Sequence, residues 1–471
     1  MRARLMVLVI LAAQGSAEAI CDSGWAPNAG SLADVYLPAG IASNHTIFVD
    51  IQSLPNAPPD SSCIDRHWAF TNKSGVSLAW MNASDPTIEG FLSPSGSPTT
   101  TGSVPGPWLH YPYRLTIAVS AAGASGSATI EIRRNRNSEP PQGVASPTPV
   151  VATINLHFIE QKWNFLQAAG GKALFSEYWT CGAQWCLNTD LETVLGEIGW
   201  IYDVDLTAER TRTWAMVLAA GQIKLSSKTP TTNWTAWLDA EAQTGTSAWF
   251  LRGSAAHLNG DLHLCAVSDY GEIWRFVRNA WGGWSWNILP GVSGTYWVDV
   301  SCSADRGMLD ILGVTNVGYF YHNACDANGT APCGGWWNVD QYAGHPGTIV
   351  DISSHFSNEL VSDWTGTYVR SRLYVVGVTQ DGRVWATNRW ASGWWSPFVD
   401  IELSGAGEGG SFARTGIGIL SGYLQVPVVT NMGTAKATNI TTDFSAFWPW
   451  ASWLPSASSA TQAVSIGSTP F

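Results

Sequence analysis

The chain has 471 residues, a formal net charge of -12 and only 24 Lys plus Arg. That length suits two or three ordinary domains or one repeat ring with an extra module. So sparse a basic complement excludes a nucleic-acid partner held by phosphate neutralisation. Tryptophan is the outlier: 23 of the 27 copies follow residue 152. An indole offers a large apolar face and one N–H donor. Most such residues pack between repeats; the sharper reading is that some line shallow hollows and stack on sugar rings.

Residues 1–19 read as a signal peptide, with a basic start at Arg2 and Arg4, an apolar core over 5–13 and an Ala17-Glu18-Ala19 cleavage site. The apolar run is shorter than the ~20 residues a spanning helix needs. No later segment reaches that length, so the expectation is a secreted, extracellular protein without a transmembrane segment. Eight cysteines follow: Cys21, Cys63, Cys181, Cys186, Cys265, Cys302, Cys325 and Cys333. An even number in an exported chain favours disulfides; the sequence does not fix their connectivity, and pairing between neighbours would give 21–63, 181–186, 265–302 and 325–333. No C-x-x-C pair or His-x-x-x-His cluster points to a metal, and nothing points to a cofactor.

Residues 20–135 alternate in short strands at 46–51, 67–70 and 76–80, then a Ser/Pro/Gly/Thr-rich loop over 93–107, then a hairpin over 113–120 and 127–133. Short alternating strands with turn signals predict a β-sandwich. The closing hairpin resembles the last two strands of immunoglobulin-like and PKD-like modules. Residues 136–152 read as a Pro-rich linker.

From residue 153 a unit recurs. Its clearest copy, 262–289, runs through an alternating strand, a turn at Gly271, a second strand through Trp274 and a Trp-rich third strand. A second copy spans 373–401, with Asp381-Gly382-Arg383-Val384-Trp385 and Gly393-Trp394-Trp395. Looser copies carry the turn glycine at Gly171, Gly221, Gly318 and Gly433, and the steps from Gly171 onward are 50, 50, 47, 64 and 51 residues. A further strand precedes several units, around Asp203, Asp299 and Asp351. Four strands per unit of this length predict an all-β fold, a six- or seven-bladed β-propeller over 153–471 behind the N-terminal sandwich-like domain. The tail at 461–468 repeats the extra strand and is expected to close the ring from the other end of the chain. A seventh blade would follow if it joined strands near Leu115 and Ile130.

Asp/Tyr-Gly-x-Ile/Val-Trp followed by Gly-Gly-Trp-Ser-Trp (282–286) or Gly-Trp-Trp-Ser (393–396) is similar to bacterial propeller lectins of the PLL-like type. Tachylectin-like and fungal fucose-lectin propellers share the scheme. The resemblance implies a non-enzymatic protein whose partners are glycans or glycoconjugates, bound in hollows repeated around the ring. In such a hollow an indole takes the C–H face of the sugar, while Arg, Asn or Asp takes its hydroxyls. Candidate binding residues are Trp274, Arg278, Trp284 and Trp286 in the third unit, Trp336 and Trp337 in the fourth, and Trp385, Arg389, Trp394 and Trp395 in the fifth. Trp274 and Trp385 sit mid-strand, where packing between blades competes with binding.

Two alternatives remain at this point. One is an adhesion propeller whose tryptophans are all core. The other is a sialidase-like glycoside hydrolase, which calls for a cluster of arginines and carboxylates at the ring axis. Asp203, Asp299 and Asp351 recur at equivalent positions, and recurrence favours a role in the fold over a catalytic pair, which would occur once.

Overall fold

The computed structural model describes only the strands within residues 26–159. From 163 to 468 it describes all but 179–188, 210–211, 230–231, 259, 306–307, 326–332, 364–365, 391, 408, 421–422 and 452–460. The signal peptide, Cys21, Cys63, Cys181, Cys186 and linker residues 136–149 lie outside the described residues. The chain divides into two compact units, 1–160 with 358–370, and 161–357 with 371–471.

The first unit holds two sheets. One orders Ala26–Pro27, Ala42–Gln52, Tyr113–Ala122 and Val76–Ser84. The other orders Asp34–Pro38, Val150–Ile159, Gly126–Asn135, Arg66–Thr71 and Ser103–Pro105. The predicted hairpin is therefore split, its two strands in different sheets, as sandwich connections commonly are. Val150–Ile159 runs across the expected boundary at 152. It pairs with Gly126–Asn135 and runs parallel to Asp34–Pro38. Ile154, Leu156 and Phe158 are buried while Thr153 and Asn155 are exposed. Such a pattern suits a half-buried strand of either domain, so periodicity alone could not assign it.

The second unit is a six-bladed β-propeller. From axis to rim, blade 2 is Ile201–Glu209, Arg212–Ala219, Gln222–Lys228 and Leu238–Asp239. Blade 3 is Phe250–Leu258, Asp261–Ser268, Ile273–Arg278 and Trp284–Ile288. Blade 4 is Trp297–Asp305, Met308–Thr315, Phe320–Cys325 and Trp337–Asn338. Blade 5 is Ile349–Asp363, Gly366–Thr379, Val384–Trp390 and Val399–Asp400. Blade 6 is Phe412–Thr415 with Gly418–Leu420, then Tyr423–Thr430 and Ala435–Thr441. Its outer edge is reduced to the bridges Ala437 to Ala451 and Ile440 to Phe447.

Blade 1 is closed by the tail. Thr461–Ser468 pairs with Trp163–Ala169, followed outward by Lys172–Tyr178 and Thr189–Asp190. The tail therefore joins this blade and not strands near Leu115 or Ile130, and the ring has six members.

Each turn glycine does two things. Its positive φ, from +73° to +81° at Gly171, Gly221, Gly271 and Gly318, is a conformation that costs other residues strain. Ala220 and Gly221 both have φ above zero, as a two-residue type I′ hairpin requires. The glycine carbonyl also accepts the first N–H of the next blade's inner strand. The six bonds are Ile201 to Gly171 (2.9 Å), Phe250 to Gly221 (2.9 Å), Trp297 to Gly271 (2.9 Å), Ile349 to Gly318 (3.3 Å), Phe412 to Gly382 (2.9 Å) and Thr461 to Gly433 (3.0 Å). The last of these spans the seam of the ring.

Apolar residues fill the wedges between blades. One cluster joins Met216, Leu218 and Ile223 of blade 2 to Phe250, Leu264 and Phe276 of blade 3. Cys325 and Cys333 form a disulfide, as expected. Cys265 and Cys302 do not: both are free and buried in one cluster. Burial, then a hydrogen bond with Cys265, pushes the Cys302 thiol up. Here the two thiols pack as small apolar groups.

Candidate functional site

Two regions gather chemistry: the axis and the exposed aromatic rim. At the axis, four inner strands carry a register shift at the same place, between Ile201 and Asp203, Phe250 and Arg252, Trp297 and Asp299, and Phe412 and Arg414. A bulge re-aims the residue that follows it, and in these blades that residue is charged. Asp203 accepts from Gly253 N (2.9 Å), Asp299 from Ile352 N (2.6 Å) and Asp351 from Thr415 N (2.7 Å). Each aspartate thus clasps the backbone of the next blade. Asp205 does the same with Ala255 N (2.8 Å), Ser254 Oγ (2.9 Å) and Ser465 Oγ (2.8 Å). Arg414 is paired to Asp351 at 3.0 Å.

Burial dominates the acidity of these groups. It pushes Asp203 and Asp205 up to about 6 and Asp299 to about 7; Arg252 opposes the shift at Asp203 and Asp299. Asp351 is raised by burial and then by Asp299. The space among these side chains is about 40 Å³, room for a water and little more. At one mouth of the axis, Tyr202, Arg252, Arg414, Asn431 and Met432 line an open hollow of about 660 Å³, within the range of about 300–1,000 Å³ that small ligands occupy. Among the described residues no three His, Cys, Asp or Glu side chains converge as metal ligands.

The rim has two faces. On the face of the turn glycines, Trp200, Trp249 and Tyr296 each precede an inner strand and lie flat on the turn glycine of the blade before. A Cβ on Gly171, Gly221 or Gly271 would run into those rings. The three side chains remain 59%, 51% and 56% exposed. In blades 5 and 6 the position falls to Thr348 and Ser411. The candidate set omits these aromatics. Their signal is the triplet Gly199-Trp200-Ile201, Ala248-Trp249-Phe250 and Thr295-Tyr296-Trp297, an aromatic just before each inner strand.

On the opposite face, the loop between the third and fourth strands of blade 3 presents Trp281, 95% exposed. The loop is tied down: Asn279 Oδ1 accepts from Trp281 N (3.1 Å) and Gly283 N (2.8 Å), and Ala280 N donates to Asp261 (2.9 Å). The equivalent loop of blade 5 presents Trp394, 74% exposed, closed by Trp390 N to Trp394 O (2.8 Å). Arg372 stacks over Trp390 at 3.8 Å.

The residues expected from sequence divide between these environments. Trp286 is exposed and stacks on the half-buried Trp274, centroids 4.7 Å apart; the Trp274 N–H donates to Glu272 (3.2 Å). Arg278 and Trp284 face each other at the other end of that hairpin, about 13 Å along the strand from Trp274 at 3.3 Å per residue. The four are therefore spread along the hairpin, with Trp274 stacked on Trp286 towards one end and Arg278 opposite Trp284 at the other. Trp284 is a half-buried neighbour of the core. Trp336 tilts over Trp297 at 4.4 Å and donates to Pro290 O (2.6 Å), which makes it a packing residue. Trp337 is exposed beside His322. Trp385 is half-buried under Arg383. Arg389 lies 3.8 Å from Asp310. Trp395 is buried in the core, edge-on to Phe320 and His322, and presents no face to solvent.

No family model matches the chain, and no curated protein matches it. Among solved structures it is similar in fold to the fucose-specific lectin from Aleuria aurantia (11% identity, TM-score 0.43, 63% of this chain and 93% of that one). The BP39L lectin from Burkholderia pseudomallei gives 10% identity and a TM-score of 0.41, over 70% of this chain and 94% of that one. An α-L-arabinofuranosidase from Clostridium thermocellum gives 11% identity and a TM-score of 0.34, over 52% of this chain and 93% of that one.

Proposed function

We propose that this is an exported, non-catalytic carbohydrate-binding propeller, whose shallow aromatic hollows repeat around the ring. The observation that carries the reading is the set of exposed indoles fixed to rigid backbone, with Trp200 and Trp249 laid on turn glycines and Trp281 and Trp394 on closed loops. An indole held this way keeps a flat apolar face in water at little entropic cost, which suits the C–H face of a pyranose. Trp286 and Trp337 extend the set, and Arg278 and Arg389 stand near the hydroxyl rim of such a ligand. Single hollows of this kind bind weakly, and repetition on one scaffold raises avidity. The disulfide and the signal peptide expected at 1–19 fit an extracellular setting. A glycan array with the purified protein tests the proposal: retention of a defined glycan class supports it, and retention of none defeats it.

A second reading has its own observation. Arginines and high-pKa carboxylates do meet at the axis, beside the hollow of about 660 Å³. Against hydrolysis, each aspartate is already engaged by the backbone of a neighbouring blade. Turnover of chromogenic glycosides that disappears in Asp299→Asn and Asp351→Asn would favour the hydrolase.

A further inference from the structure

Three blades carry a cation at, or one residue before, the end of their third strand. Lys228, Arg278 and Arg389 each lie seven residues beyond the turn glycine of their blade, Gly221, Gly271 and Gly382. Each cation reaches back to the preceding blade. Lys228 meets Glu177 of blade 1 and sits 4.4 Å from the Phe175 ring. Arg389 meets Asp310 of blade 4, which is also bonded to His322 Nε2 at 2.6 Å. In both clefts a carboxylate of the neighbouring blade answers the charge.

The cleft between blades 2 and 3 differs. Counted back four from the partner of the residue two beyond the turn glycine, Leu218 opposite Ile223 in blade 2 and Val314 opposite Phe320 in blade 4, the position of Asp310 is taken by Trp214. Arg278 therefore lies over an indole, its guanidinium carbon 5.3 Å from the ring centroid. Arg212 lies over the same indole at 5.6 Å. Neither arginine has a carboxylate partner among the described residues. Arg278 Nε and Trp214 Nε1 are buried without a hydrogen-bond partner, and Trp214 is only 5% exposed. Burial and then the Arg212 charge hold the Arg278 guanidinium below its usual pKa. Two like charges share one indole with no carboxylate between them, one exposed and one partly buried, which makes the cleft a favourable place for an anion. Gly282 covers Arg278: a Cβ there would stand 3.6 Å from Nη2. The fully exposed Trp281 stands on the same tied loop.

We propose that the cleft between blades 2 and 3 binds the oxyanion of an acidic saccharide, a carboxylate or a sulfate ester, through Arg278 and Arg212, with the sugar ring laid on Trp281. Guanidiniums suit such groups because their planar donors pair with two oxygens at once. This assignment rests on the carbohydrate reading and adds the ligand's charge to it. The other two clefts, already neutralised from within, take no anion.

The test is a calorimetric titration of the protein at constant ionic strength with methyl glucuronide, glucose 6-sulfate, methyl glucoside and sodium sulfate. The acidic sugars are expected to bind at least tenfold more tightly than methyl glucoside. Arg278→Gln and, separately, the exposed Arg212→Gln should each remove that preference. Which acidic sugar binds better identifies the source of the oxyanion. Equal binding of acidic and neutral sugars, or an unchanged preference in both variants, overturns the proposal while leaving the carbohydrate reading intact. Sulfate bound in an Arg278-dependent way, with no saccharide retained at all, removes the carbohydrate reading and keeps the anion cleft.

Discussion

At the scale of single residues, tryptophan takes two roles that its position alone does not separate. Trp394 and Trp395 are adjacent, yet one is 74% exposed and the other 9%. Alternation along an extended segment sends neighbours to opposite sides, so the Gly-Trp-Trp motif yields one exposed indole and one core plug. Trp395→Ala is expected to cost about 3–5 kcal/mol, as loss of a buried aromatic does, read from a chemical denaturation midpoint. Trp394→Ala and Trp281→Ala should leave that midpoint within about 0.5 kcal/mol while lowering retention on a glycan column. The motif was legible in the sequence; which of the two indoles faced water was not. The platforms Trp200, Trp249 and Tyr296 were missed because each belongs to the loop leading into the next blade and not to the motif.

At the scale of elements, the inner strands show why recurrence was informative. Asp203, Asp299 and Asp351 recur because each answers a backbone N–H of the next blade, in three of the six wedges, and at Asp203 and Asp299 a bulge aims the carboxylate. The fold role was readable from the repeat; the partner, one blade away, needed the register. The clasp has a pH signature. Asp299 has a folded pKa of about 7 against an ordinary 3.8. Its proton is held more tightly in the folded chain, so its contribution to stability is full below the ordinary value and lost as pH rises through 7. His257 and His263, lowered to about 3 and about 4 by burial, act in the opposite sense, losing stability as pH falls below 6.5. Asp299→Asn removes the first effect and relieves Asp351 of the neighbouring charge, in the same direction, while an amide oxygen still accepts from Ile352. The melting temperature of the variant relative to the parent should therefore be higher at pH 8 than at pH 5. An offset equal at both values would show that the carboxylate is not titrating in that window.

At the scale of the whole molecule, the ring was visible in the glycine spacing. The one long step, 64 residues, is explained by the disulfide-closed loop of blade 4 and by the extended hairpin of blade 5, Ile349–Asp363 with Gly366–Thr379. Blade count and domain edge were harder. Both turn on which sheet receives Val150–Ile159 and which receives Thr461–Ser468, and strand pattern does not encode a distant partner. Removing residues 461–471 strips blade 1 of its inner strand, deletes the Thr461 bond to Gly433 and withdraws Ser465 from Asp205. The truncated protein is expected to lose cooperative unfolding and to be cut rapidly by trypsin, whereas an intact melting transition would mean the ring holds without its latch.

That latch also fixes an order of events. Residues 461–468 leave the ribosome after every other blade strand, so the five remaining inner strands and an unfinished first blade must wait with one open sheet edge. Such an edge invites pairing with a second nascent copy. The eight-residue segment 461–468 then decides whether each molecule shuts upon itself or upon its neighbour.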